Sequence, residues 1–134
     1  MDPVYFDKLI DDVKGSGDAM PALFAAIARG DFDSMTQYPT EDAELVSAGF
    51  PRLDGAWSAR EAVIGATRYN FGLIAEQRPV IDRQITSGDS TALLLRESGV
   101  RKDSRLPYSI RVSMWVTMRD GKVCRVEEIA APCE

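Results

Sequence analysis

The chain has 134 residues, 45% of them hydrophobic and 28% charged, with a formal net charge of −5 and no histidine. That length bounds one domain with one core; no apolar run approaches the roughly 18 residues of a membrane span, and the acidic balance speaks against bulk attraction to nucleic-acid phosphates. Without histidine there is no His-dependent triad and most zinc sites are excluded, so any catalysis falls to carboxylates, Tyr, Lys, Arg or Cys.

The opening "MDPVYFDKLIDD" is acidic and has neither a basic nor an apolar leader region, so a cytoplasmic location is expected. Asp2-Pro3 is a helix start, and Phe6, Leu9, Ile10 and Val13 follow at helical spacing. Gly15-Ser16-Gly17 ends this helix, Asp18 caps the next, and Met20, Leu23, Phe24 and Ile27 repeat the pattern toward Arg29. The chain is read as a single domain, 1–134, with 1–17 as an extra N-terminal helix and linker. Arg29-Gly30-Asp31 spells an adhesion tripeptide, but Gly30 falls just past the last periodic residue and Asp31 or Asp33 can cap a short helix carrying Phe32 and Met35. It reads as helix punctuation, with Pro39 as the next stop.

A short strand is expected over Ala43 to Phe50 and a turn over Pro51 to Gly55. In "WSAREAV", Ser58 and Glu61 have capping-box spacing and Trp57 and Ala62 the staple positions, which predicts a helix running past Tyr69 and Leu73 toward Gln77, with Pro79 as its stop. From Val80 the period becomes two. Strands are expected over Val80 to Thr86, Thr91 to Ser98, Tyr108 to Met118 and Val123 to Ala130. Helices followed by an antiparallel meander define an α+β fold.

In the strand from Tyr108, the residues Tyr108, Ile110, Val112, Met114, Val116 and Met118 form the core-facing set, leaving Arg111, Trp115 and Thr117 outside. The last strand offers Cys124, Val126, Glu128 and Ala130 or the less apolar Val123, Arg125, Glu127 and Ile129. A three-residue Arg119-Asp120-Gly121 loop groups the apolar sets, points Glu128 inward opposite Val112 and sets Trp115 against Arg125 outside as a cation–π pair. Cys124 and Cys133 read as plain thiols, and neither a metal site nor a cofactor is expected.

This order of elements, with "ARGDFD", "LDGAWSAREAV" and "VTMRDGKVCRVEEI" at its joints, resembles the SnoaL-like branch of the nuclear transport factor 2-like superfamily over about residues 19 to 130. The resemblance implies a curved antiparallel sheet wrapped around N-terminal helices into a cone with an apolar pocket. In the family's ketosteroid isomerases a general-base Asp and a Tyr–Asp oxyanion pair do the chemistry. Here the base position falls near Ser47, the oxyanion Asp at Met114 and the Tyr near Leu23, so steroid isomerase machinery is not retained.

What remains for catalysis is Glu128, and Arg96 if the family alignment, which points Ala92, Leu94 and Arg96 inward, sets the strand phase; the opposite phase, Leu93 and Leu95, is equally apolar. Trp57, Tyr69, Val112, Met114 and Val126 are the ligand-binding candidates for a small, largely apolar molecule. The expected activity is isomerase, cyclase or lyase chemistry on a pocket carboxylate; the alternative is a non-catalytic ligand-binding or accessory module. A homodimer is expected through the outer sheet face, with Trp115, Thr117 and Arg125.

Overall fold

A computed structural model describes residues 22–23, 25–26, 30–50 and 54–132. In chain order these include β1 (Pro39–Ala48), β2 (Gly55–Ser58), helix α1 (Arg60–Gly72), β3 (Ile74–Ser87), β4 (Ser90–Arg101), β5 (Pro107–Arg119) and β6 (Lys122–Pro132). The strands form one curved, unclosed six-stranded sheet in the order β2-β1-β6-β5-β4-β3. All neighbours run antiparallel except β1 against β6, which is parallel.

The expected helix over Pro3 to Lys14 and its Gly-Ser-Gly linker lie outside the described residues, as does Cys133. Of the second helix, residues 22–23 and 25–26 are helical, and its end has the closure that the sequence implied. Gly30 sits at φ +70°, and the Asp31 N–H reaches back to the Ala26 carbonyl at 2.9 Å. The Asp31 carboxylate then accepts from the N–H and hydroxyl of Ser34, anchoring a 3-10 turn over Asp33–Gln37. Gly30 and Asp31 therefore work as structural punctuation.

The capping box does not form. Ser58 belongs to β2, paired with Glu44 of β1, and the Ala59 N–H extends that ladder to the Ala43 carbonyl at 2.9 Å. Strand pairing thus holds Ser58 away from the helix, which starts two residues later without a side-chain cap, Ala59 turning the chain at φ +83°. At its far end α1 stops at Gly72, and Gln77 lies in β3. Pro79, expected as a helix stop, sits inside a strand; β3 is an edge, where a residue lacking N–H leaves no central ladder bond unmade.

The last hairpin combines two devices. Arg119 pairs with Lys122 around a two-residue Asp120-Gly121 loop, both residues at positive φ (+53° and +77°). Such a loop alone would turn Arg125 and Glu127 inward, but a bulge in β6, where Cys124 is the extra residue between the Thr117–Arg125 and Met118–Val123 pairs, resets the phase. Val126, Glu128 and Ala130 then join the Val112, Met114 and Val116 face. The expected three-residue loop is replaced by a tighter loop plus bulge, and Glu128 lies opposite Met114 rather than Val112.

Leu45, Leu93, Leu95, Val112, Val116, Val123 and Ala130 build the core on the inner face, with Ala66 of α1 packed onto it. A smaller cluster joins Ile64 of α1 to Ala26 and Met35. The helix thus lies across the concave side of the sheet without filling it.

Candidate functional site: an apolar cavity with two carboxyl groups

Between α1 and the sheet lies a cavity of about 130 Å³. Val63, Thr67 and Asn70 recur on one face of α1 and, with Phe71, form its roof; Leu45, Leu95, Val112, Met114 and Val126 belong to its sheet wall. Two lining side chains are acids, Glu97 on β4 and Glu128 on β6.

Glu128 projects inward beside Ser47, its register partner on β1, and Met114, its partner on β5. Burial raises its pKa to about 7, with the charge of Glu97 as the second cause; the Ser47 hydroxyl pulls in the other direction. Ser47 is only 2% exposed, and its Oγ has no hydrogen-bond partner of ordinary geometry.

Glu97 is held more firmly. Gln77 Nε2 donates to its Oε1 at 2.5 Å, and the Tyr108 hydroxyl donates to its Oε2 at 2.9 Å. Burial pushes the Glu97 pKa up, and the Tyr108 and Gln77 hydrogen bonds draw it back. Tyr108 is itself raised by burial and by the neighbouring Glu97 charge. A second cavity, about 70 Å³, shares Phe50, Asn70 and Glu97 with the first and is also bordered by Tyr108, Ile110 and Arg101.

Of the residues that the sequence singled out, Val112, Met114, Val126 and Glu128 line the main cavity. Trp57 does not: it sits opposite Leu45 in β2 and packs against the core. Tyr69 is 50% exposed, outside the cavity lining. Arg96 does not face the cavity either. It is exposed and grips Asp82 with Nε and Nη2 at 2.8 to 3.1 Å, because Leu93 and Leu95 take the inner face. The same phase brings Glu97 inside, a residue that the sequence reading passed over. Its signals were the continuation of Leu93 and Leu95 by two, and a glycine, Gly99, facing Tyr108 across the ladder.

On the outer face Trp115 pairs with Glu127 and not with Arg125. Arg125 instead bridges Glu44 at 2.6 Å and Glu127 at 2.7 Å, so the expected cation–π pair gives way to ion pairs. Among the described residues no helix is long and apolar enough to cross a membrane, and no group of three or more acidic or cysteine side chains is placed to hold a metal ion.

A cone-like α+β fold with a cavity between helix and sheet defines a pocket protein of nuclear transport factor 2-like architecture. The family model of the SnoaL-like domain matches residues 21–126, and the chain belongs to that family. No curated protein sequence matches it. Among solved structures it is similar to a nuclear transport factor 2-like protein from Burkholderia xenovorans, at 18% identity and a TM-score of 0.71, covering 84% of this chain and 86% of that one. It is also similar to a protein from Jannaschia named for its likeness to SnoaL-like polyketide cyclases, at 16% identity and TM-score 0.66 over 75% and 72% of the two chains. A nuclear transport factor 2-like protein from Anabaena variabilis gives 18%, 0.69 and 81% of each chain. At these identities the likeness is one of fold.

Proposed function

We propose that the protein binds a small, largely apolar molecule in the main cavity and moves a proton on it, with Glu128 as the acid–base group. The observation that carries this is a carboxyl group in an apolar cavity with a pKa of about 7. A general acid–base works best when its pKa lies near the working pH. Isomerases, cyclases and lyases all need such a group.

The location supports the same reading. The resemblance puts the isomerase base near Ser47 and the oxyanion acid at Met114, and Ser47 and Met114 are the two register neighbours of Glu128. An acid on β6 thus stands between the two positions where the isomerases keep theirs.

Base strength in the cavity is measurable without the natural substrate, by the ring opening of benzisoxazole, in which a base removes one carbon-bound proton as the ring N–O bond breaks. The expected rate rises with pH to a plateau above about 7, and Glu128→Gln, checked for native circular dichroism, loses this component. An equal rate in the variant would remove the proposal.

For assembly, the outer face of β5 and β6 favours a homodimer. Trp115 and Ile129 are 55% and 63% exposed there, beside Thr117 and Arg125. An aromatic and an aliphatic anchor ringed by polar groups suit a protein interface.

A further inference from the structure

The polar inventory of the main cavity is one-sided. Among the described residues its lining holds two carboxyl groups and no Lys or Arg. Neither acid has a cationic partner there: Glu97 is met by the neutral donors Tyr108 and Gln77, and Glu128 by Ser47. A carboxylate taken out of water is strongly unfavourable unless a cation or several donors meet it.

The donors of this lining are largely committed. Thr67 gives its hydroxyl proton to the Val63 carbonyl at 2.9 Å, and Gln77 gives its amide to Glu97. What is left over is acceptor capacity. Gln77, only 1% exposed, borders the cavity, and its Oε1 is buried without a hydrogen-bond partner. Asn70 and the second N–H of the Gln77 amide are the neutral side-chain donors of the lining without a named acceptor.

We propose that the cavity takes an organic cation, a protonated primary amine on a compact apolar body, with its ammonium group against Glu128. This deepens the proton-transfer reading and rests on it, since both need Glu128 to face the ligand. An ammonium group brings three donors and a positive charge, which match two carboxyl groups that no cation meets and form charge-assisted bonds. Size restricts the body: at about 130 Å³ the cavity, which opens to solvent, is on the scale of the roughly 150 Å³ that accommodates benzene in an apolar protein core, so the body is about the size of an aromatic ring. With the cation in place Glu128 stays ionised and acts as a base.

Three probes of one shape and different charge test this: benzylamine, benzyl alcohol and benzoate, titrated at pH 7.5 by calorimetry and by carboxyl-carbon NMR. Benzylamine is expected to bind at least about tenfold more tightly than benzyl alcohol, and benzoate not at all. Glu128→Gln should remove the preference while keeping the affinity for benzyl alcohol. If benzyl alcohol or benzoate binds as well as benzylamine, or the preference survives in Glu128→Gln, the cation assignment is overturned and the proton-transfer reading stands on its own kinetics. Binding of none of the three also overturns the cation assignment, and the benzisoxazole kinetics then decide the proton-transfer reading.

Discussion

Tyr108 lies across Gly99 of the neighbouring strand and hands its hydroxyl proton to Glu97 at 2.9 Å. A Cβ on residue 99 would come within 2.8 Å of the Tyr108 ring and hydroxyl and 2.9 Å of the Ala75 carbonyl oxygen. The ring can swing, but the carbonyl belongs to β3 and cannot. Gly99→Ala should therefore destabilise the fold by about 1–3 kcal/mol through overpacking. Tyr108→Phe removes only the hydrogen bond and should lose about 1 kcal/mol. Urea midpoints compare the two; a Gly99→Ala protein as stable as its parent would show that Tyr108 does not need the gap.

Glu128 also dictates how stability changes with pH. Its pKa rises from 4.5 to about 7 on folding, so between those values the folded chain holds a proton that the unfolded chain has released. The stabilisation is complete below pH 4.5, declines as pH rises and is gone above about 7, for a total of about 3 kcal/mol. Glu128→Gln should flatten this decline and be more stable than the parent at pH 8. Paired urea titrations at pH 5 and pH 8 check the sign, since a carboxylate stabilised by the fold would give the opposite slope.

Trp115 offers a test of assembly that leaves the cavity alone. It is opposite Glu127 on the outer face, so Trp115→Glu places two like charges side by side at the centre of the proposed interface. Light scattering at micromolar concentration should give a dimer mass for the parent and a monomer mass for the variant, with unchanged circular dichroism. A monomeric parent would end the dimer proposal.

How much of this was legible beforehand depended on which signals were redundant. The strand alternation around Val112, Met114 and Val116 agreed with that around Val126 and Ala130, so the inward turn of Glu128 was reached despite a wrong loop length. A loop of two residues with a bulge and a loop of three without one leave the far end of the strand in the same phase. The start of α1 had no such redundancy. Ser-x-x-Glu spacing specifies a cap locally, and the pairing of Ser58 with Glu44, fourteen residues upstream, overrode it. β4 was ambiguous because Ala92, Leu94, Leu93 and Leu95 are apolar on both faces, and with it went the choice between Arg96 and Glu97. Only the facing strands decide it: Leu95 meets Val112 on one side and Ile81 on the other.

That adjacent pair gives the sharpest test of the site. Arg96 and Glu97 are sequence neighbours on opposite faces of β4, one exposed and bonded to Asp82, the other buried against the cavity. The Glu97 charge is the second cause of the raised Glu128 pKa, after burial. Glu97→Gln should therefore lower the Glu128 midpoint from about 7 without restoring it to 4.5, since the larger cause remains. Arg96→Ala should leave it where it is. Carboxyl-carbon NMR titration of both variants reads the midpoint directly, and the benzisoxazole pH profile should shift with it. If Arg96→Ala moved the midpoint and Glu97→Gln did not, the coupling between the two acids across the cavity would be refuted.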